Sequence, residues 1–191
     1  MHLEIFMRII EQDELNIDWD SMVDYVKNLG IEQRLEEKYK FDLSYGTFTA
    51  KIGPTLEVLG RDAKGKVILN LGCGSTGNSK DYELYKRERI FEPWVCRAFH
   101  LMGARVIGID IGKLDGKEFE HYSLDLLVSG ALDFLADKSV DITNARALFD
   151  SEQLESMKGY QKICRVLLPQ LERIVKSEGV FLYTKSNGIK V

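Results

Sequence analysis

The stretch Val67-Ile68-Leu69-Asn70-Leu71-Gly72-Cys73-Gly74-Ser75-Thr76-Gly77 decides the fold of this chain. Its first five residues form a short, mostly apolar run, which is typical of a strand buried on both faces of a parallel sheet. Three glycines follow within six residues, and they allow a tight turn that a ligand can approach without meeting a Cβ atom. Because ligands of open α/β sheets bind beyond the carboxyl ends of the strands, the stretch predicts a ligand crevice at this turn.

The composition indicates an ordinary globular protein. Of 191 residues, 45% are hydrophobic and 29% are charged, and the net charge of −4 disfavours a nucleic-acid partner. The three cysteines (Cys73, Cys96 and Cys164) lie far apart without CxxC spacing, so we expect reduced thiols and no metal site. The first ten residues contain charges and match neither a signal peptide nor a membrane span, so we expect a cytoplasmic protein without membrane contact.

Hydrophobic spacing predicts about five strands that alternate with helices. The expected strands are 67–71, 105–110, 119–124, 139–143 and 179–184. The expected helices are 18–40, divided at Gly30, then 91–102 and 152–176. This alternation predicts a mostly parallel open sheet with right-handed crossovers and helices on both faces.

Residues 1–62 precede the first strand and are predicted to form an N-terminal helical appendage. Within them, segment 41–52 is expected to be irregular, and Gly53-Pro54 to interrupt the chain before a short apolar turn. The core of the protein is then residues 63–191.

Asp110 ends the second predicted strand, which lies beside the first in this topology. Its carboxylate should therefore face the glycine turn, where it could accept hydrogen bonds from two ribose hydroxyls. An alternative is that Asp110 caps a turn before Gly112. A nicotinamide fingerprint places its acid about 20 residues after the glycines. Asp110 follows Gly77 by 110 − 77 = 33 residues, so the spacing disfavours NAD.

Four blocks in chain order resemble the class I S-adenosylmethionine-dependent methyltransferases. They are 70–75, 108–110, 123–127, and 167–171 with 179–182. The resemblance spans about residues 64–184 and implies a Rossmann-like sheet of strand order 3-2-1-4-5, here lacking the family's last two strands. It also implies S-adenosyl-L-methionine as cofactor and methyl transfer to a small-molecule or protein acceptor.

The resemblance implies cofactor-binding roles for twelve residues. Gly72 and Gly74 would pass beneath the methionine part, and Asp110 would hold the ribose. The full set is Asn70, Gly72, Cys73, Gly74, Ser75, Gly77, Asp110, Ile111, Asp125, Leu126, Asn144 and Ala145. In this set Ile111 would pack on the adenine, Asp125 and the Leu126 backbone would bind its edge, and Asn144 and Ala145 would lie near the sulfonium. For Asp125 a helix N-cap is the alternative.

Two departures from the family pattern concern the glycine turn. Asn70 stands where the family usually has an acid that helps to order the turn and the amino end of the cofactor. The family's third glycine falls on Thr76, with Gly77 one residue later. Both predict weaker binding than in typical members.

The acceptor is not specified by the sequence. The chain reads Asn144-Ala145-Arg146-Ala147 where amine-directed nucleic-acid methyltransferases usually have (Asp/Asn)-Pro-Pro-(Tyr/Phe), which disfavours nucleobases. No catalytic residue is assigned; the nominal candidates are His100, His121, Asp141 and Asp150, and for the two acids a solvated loop position is the favoured alternative. Two further hypotheses are a mobile flap at 78–89 and an aromatic lid, with ordinary packing as the alternative for the lid residues Tyr39, Tyr45 and Phe48.

The chain ends at Val191, shortly after the fifth predicted strand. Either the natural chain continues further or it is short. If it is short, that strand is an exposed edge, and we expect a homodimer through it. Two other functions stay open, namely a non-catalytic or regulatory S-adenosylmethionine-binding module and, less favoured, an NAD(P)-dependent oxidoreductase.

Overall fold

A computed structural model describes residues 7–39, 45–74, 92–114, 118–145, 148 and 157–184. Their six strands form one open sheet in which every neighbouring pair is parallel. The strands are β1 (Arg8–Glu11), β2 (Val67–Leu71), β3 (Arg105–Asp110), β4 (Glu120–Ser123), β5 (Val140–Ala145) and β6 (Val175–Tyr183). The predicted α/β class and open parallel sheet are confirmed.

The sheet order is β1-β6-β5-β2-β3-β4, so the prediction of five strands in the order 3-2-1-4-5 is wrong for the whole sheet. The difference is β1, which pairs with β6 from Arg8 opposite Val180 to Glu11 opposite Tyr183. Four residues with a charge at each end are too short for a period-2 pattern to indicate a strand.

The fifth predicted strand, β6, is not an exposed edge. It pairs with β5 on one side and with β1 on the other. The expectation of an exposed edge is therefore wrong, and the reason given for a homodimer through it is removed.

Five helices are described. They are α1 (Trp19–Asn28), α2 (Ile31–Tyr39), α3 (Tyr45–Val58), α4 (Trp94–Leu101) and α5 (Met157–Ile174). Asp18 caps α1 by accepting a hydrogen bond of 3.1 Å from Ser21 N. Gly30 separates α1 from α2 with φ +60°, as its position in the sequence predicts. None of the described helices is both long and apolar enough to span a bilayer.

The expectation of an irregular segment interrupted at Gly53-Pro54 is wrong for residues 45–58, because α3 runs through Gly53 and Pro54. Residues 41–44 lie outside the described part. Phe48, Ile52 and Leu56 lie four residues apart and are fully buried on one side of this helix. Burying three such side chains contributes about 2 kcal/mol each, which outweighs the cost of about 3 kcal/mol for a proline inside a helix. Tertiary packing therefore overrides the local Gly-Pro signal.

Successive residues of the strands face two separate cores, one on each face of the sheet. Ile68 of β2 packs with residues of α1, α3 and α4, including Met22 and Phe99. Leu69, the next residue, packs on the other face with residues of α5, including Leu171. Helices thus cover both faces, as predicted. The helices of residues 19–58 share the first core with the strands, and the domain division at residue 62 stays a prediction.

Candidate ligand site at the glycine turn

The turn after β2 is built on two glycines with positive φ. Gly72 has φ +66° and Gly74 has φ +97°, values that an L side chain rarely adopts. The N–H groups of Gly72 and Cys73 both donate to the carbonyl of Ile109, at 2.8 and 3.1 Å. The turn therefore folds back over the carboxyl end of β3.

Asp110 faces this turn, as strand adjacency predicts. Its Oδ2 accepts a hydrogen bond of 2.9 Å from Gly74 N, and its Oδ1 accepts one of 3.0 Å from Gly112 N. The side chain therefore also caps its own turn, which was the alternative interpretation. Each carboxylate oxygen has a further lone pair, so both can accept another donor.

The segment after β5 also reaches the glycine turn. A Cβ atom on Gly72 would lie 3.3 Å from Leu148 Cα and 3.4 Å from Leu148 N. The ends of β2 and β3 and the residue Leu148 after β5 thus meet at one point. Gly72 is required there for its positive φ and for the close approach of the backbone.

Asn70 and Asn144 are opposite each other on β2 and β5, and both are buried. Asn70 Nδ2 donates to Cys96 Sγ at 3.3 Å, and Asn144 Nδ2 donates to Thr55 Oγ1 at 3.2 Å. These two amides therefore contact α4 and α3, on the face of the sheet that those helices cover.

Cys73 is buried beside Cys96. Its Sγ lies 3.3 Å from the carbonyl of Gly74. The hydrogen bond with Cys96 and burial, with Asp110 nearby, hold the pKa of the Cys73 thiol well above its usual value. A neutral, buried thiol is a poor nucleophile. We therefore assign Cys73 a packing role in the turn and no chemical one.

The residues implied to bind adenine have different surroundings. Ile111 is 58% exposed next to Asp110, which leaves its apolar surface open to a ligand. Asp125 is exposed, and its Oδ1 accepts a hydrogen bond of 2.8 Å from Leu127 N, so it caps a turn. Leu126 and Ala145 are buried in the second core. Ser75 and Gly77 lie outside the described residues.

The four nominal catalytic candidates are not gathered at the turn. His121 is buried in β4 against Phe119, and His100 lies in the last turn of α4. Asp141 lies near the start of β5, at the opposite end of the strands, so it does not face the crevice, and it lies in a strand and not in a loop. Asp150 lies outside the described residues.

The aromatic-lid hypothesis is replaced by its alternative, packing, for two of its three residues. Phe48 is fully buried in the first core, and the Tyr39 ring packs edge-on against Trp94 with centroids 6.3 Å apart. The Tyr45 side chain and the flap segment 78–89 lie outside the described residues.

Among the described residues no group of His, Cys, Asp and Glu could hold a metal ion. Two cavities of the described part are lined by other residues than Gly72, Gly74 and Asp110. The chain that continues from the turn, residues 75–91, is outside the described part.

Three contact residues of the site were missed by sequence reasoning: Thr55, Cys96 and Leu148. Thr55 could not be found because it was predicted to lie in a short turn after Gly53-Pro54, whereas it lies inside α3. Cys96 lies within the predicted helix 91–102 but was not assigned to its apolar face, and no spacing rule pairs it with Asn70. Leu148 follows a strand end, which is the signal that could have identified it.

In comparisons with known proteins, no family model matches the chain, and no curated protein matches it significantly.

Proposed function

We propose that this chain binds S-adenosyl-L-methionine at the carboxyl ends of β2 and β3 and transfers its methyl group to a small-molecule or protein acceptor. The observation that carries the proposal is the Asp110 carboxylate, which lies 2.9 Å from Gly74 N and whose two oxygens each accept one backbone hydrogen bond from the described residues, so that each has capacity for a second. Support also comes from the motif order along the chain.

The described residues at the turn fit an adenosyl group. Asp110 would accept the two ribose hydroxyls, and its hydrogen bonds from Gly74 and Gly112 already fix its orientation. The backbone of Gly72 and Gly74 offers close approach without a Cβ, and exposed Ile111 offers an apolar surface for the base.

The cofactor supplies a methyl group already activated on a sulfonium. The protein then has to hold the nucleophile in line with that methyl group and exclude water, so positioning supplies most of the rate. A general base is required only for an acceptor that arrives protonated with a high pKa.

Asn70 and Asn144 are buried in β2 and β5, close to the glycine turn that follows β2. Their Nδ2 groups are held by Cys96 and Thr55, so each amide is fixed in one orientation. Neither amide can supply a negative charge to the cationic amino end of the cofactor, and we expect modest affinity for that reason.

A second candidate is a cofactor-binding module without catalysis. It is favoured by the positions of His100 and His121, neither of which contacts the turn in the described part of the chain. Binding with no turnover of any acceptor would support this candidate.

The test is calorimetric titration with S-adenosylmethionine, S-adenosylhomocysteine and NAD. We expect both adenosyl ligands to bind and NAD to bind at least tenfold more weakly. Asp110→Asn should weaken adenosyl binding by about tenfold or more, because a hydrogen bond to a charged acceptor contributes about 1.5–3 kcal/mol.

The matched control is Asp24→Asn, which makes the same change at an exposed position on α1. It should leave binding unchanged. The proposal fails if S-adenosylhomocysteine does not bind, or if the Asp110 and Asp24 variants bind it equally well.

A further inference from the structure

A cavity of about 450 Å³ lies at the amino-terminal ends of the strands, at the opposite end from the glycine turn. The pairing of β5 with β6 is interrupted there: Val140 is opposite Val175, whereas Ile142 is opposite Val180. Residues 176–179 of β6 therefore loop out opposite Asp141 alone. This loop, Lys66 before β2 and Arg8 at the start of β1 form the polar wall of the cavity.

Three basic side chains from three segments line this cavity: Arg8, Lys66 and Lys176. Lys176 Nζ lies 2.8 Å from Asp141 Oδ1, and Asp141 Oδ2 accepts a hydrogen bond of 2.8 Å from Val67 N. Both oxygens of the Asp141 carboxylate thus already accept a hydrogen bond. The Lys176 charge is balanced within the wall.

Arg8 and Lys66 are not held by a hydrogen bond of this kind, although the Lys66 charge is near enough to Asp141 to help lower the pKa of that carboxyl. Within the described part of the chain, neither side chain forms a hydrogen bond or an ion pair. Glu178, the other acidic lining residue, forms none either. The wall therefore carries a net charge of +1, from three basic and two acidic side chains, and within the described residues the cationic groups of Arg8 and Lys66 have no hydrogen-bond partner.

We propose that the cavity bounded by Arg8, Lys66 and the 176–179 loop binds a small organic oxyanion, a phosphate or carboxylate on an apolar body. Arginine and lysine are the side chains that bind phosphate and carboxylate oxygens. Val58, Leu59 and Val180 form the apolar part of the lining, which suits the ligand's body. The volume is within the usual range for small-molecule sites.

This site is separate from the glycine turn. β2 separates Lys66 at one end from Gly72 at the other by about 20 Å, at about 3.3 Å per residue. The inference therefore does not depend on the proposed methyltransferase function, and either can fail without the other.

The test is an NMR titration of the full chain with inorganic phosphate, phenyl phosphate and benzoate at low ionic strength. We expect the amide signals of Val67, Gly179 and Val180 to shift with saturation, and phenyl phosphate to bind more tightly than phosphate. Comparing phenyl phosphate with benzoate distinguishes a phosphate site from a carboxylate site. Added salt should weaken binding, because the cations are partly exposed.

Three variants locate the site. Lys66→Ala should weaken binding about tenfold. Lys64→Ala makes the same change two residues away, outside the cavity lining, and should have no effect. Glu178→Gln should strengthen binding by removing a like charge. All three positions are partly or fully exposed, so we expect each variant to fold, which circular dichroism checks.

The proposal is overturned if none of the three anions shifts these signals at about 10 mM, which is about ten times a Kd of 1 mM. It is equally overturned if the Lys66 and Lys64 variants bind alike. Tighter binding to phosphate than to phenyl phosphate would overturn the apolar part of the assignment.

Discussion

At the scale of single residues, Gly108 of β3 is in close contact with side chains from the neighbouring segments. A Cβ atom there would lie 2.9 Å from Cys73 Sγ, 3.0 Å from Phe119 Cε2 and 3.3 Å from Cys96 Sγ. All three side chains are buried, so none can move aside freely. The glycine turn therefore rests on a tightly packed layer, and Gly108 sets the spacing within it.

We predict that Gly108→Ala destabilises the protein by about 1–3 kcal/mol, because overpacking a filled core forces neighbours out of their preferred rotamers. Urea unfolding followed by tryptophan fluorescence measures the change. Gly46→Ala is the matched control, since a Cβ atom there meets nothing within 4 Å. It should be neutral or stabilising by up to about 1 kcal/mol. Equal unfolding midpoints for the two variants would contradict the packing argument.

At the scale of elements, Asp141 connects three strands at their amino ends. From β5 it accepts the N–H of Val67 in β2 and the ammonium of Lys176 in β6. Burial raises the pKa of Asp141, but the Lys176 and Val67 hydrogen bonds, with Lys66 nearby, outweigh burial and hold that pKa below its usual value. The charged carboxylate is therefore a stabilising part of the sheet.

We predict that Asp141→Asn lowers the free energy of unfolding at pH 7 by about 1–2 kcal/mol, because charge-assisted hydrogen bonds are lost. A carboxyl whose pKa is lowered by folding stabilises above the unfolded-state pKa and loses this contribution as the pH falls through the folded-state value. The difference between wild type and variant should therefore be constant above about pH 5 and shrink below 3.8, the ordinary value.

Denaturant unfolding at pH 7 and pH 3 checks this prediction. Asp24→Asn, on the exposed side of α1, is the control and should show no comparable loss. A difference between Asp141→Asn and wild type that is the same at both pH values would show that the stabilisation does not come from the charge.

At the scale of the whole molecule, a cluster around Tyr39 joins α2, α4 and the residues before β4. The Tyr39 hydroxyl donates to Glu118, which also pairs with Lys38 at 2.5 Å. The Arg97 guanidinium lies 4.2 Å from the centre of the Tyr39 ring and 2.6 Å from Glu92. The cluster attaches the helices of the N-terminal segment to the sheet.

Burial and the Glu118 carboxylate raise the pKa of Tyr39 to about 12, although Arg97 opposes this shift. A phenol whose pKa is raised by folding stabilises fully below the unfolded-state value near 10 and loses that contribution as the pH rises towards 12. We predict that Tyr39→Phe is less stable than wild type at pH 9, and that the difference narrows at pH 11.

Tyrosinate absorbance gives an independent measurement of the same group. At pH 11 about a tenth of folded Tyr39 should be ionised, against about nine tenths for an ordinary tyrosine. The difference between the wild-type and Tyr39→Phe spectra isolates this group. A full tyrosinate contribution at pH 11 in folded protein would contradict the raised pKa.

The prediction from sequence was best for the central strands. β2 is an apolar run between Gly65 and the glycine turn, and β3 is an apolar run that ends at Asp110. Both signals are therefore local in sequence. β1 and α3 were missed because pairing with β6 and burial of Phe48 and Ile52 form them, and both involve residues far apart in sequence.

The candidate site was predictable only in part. The position of Asp110 facing the glycine turn follows from strand adjacency, and the structure has it there. The directions of the Asn70 and Asn144 amides do not follow from the sequence, because Cys96 and Thr55 on separate helices decide them. Cofactor and reaction stay predictions.

The sequence by itself determined an open parallel α/β sheet with a glycine turn and an acid at its carboxyl edge, because hydrophobic runs, glycine and strand ends act over a few residues. Only the tertiary structure decided that β1 covers β6, that α3 continues through Pro54, and that Asp141 and the basic cavity lie at the opposite edge. Those features depend on burial and charge pairing between segments that are distant in sequence. The stabilising free energy of these contacts arises only when folding brings the segments together.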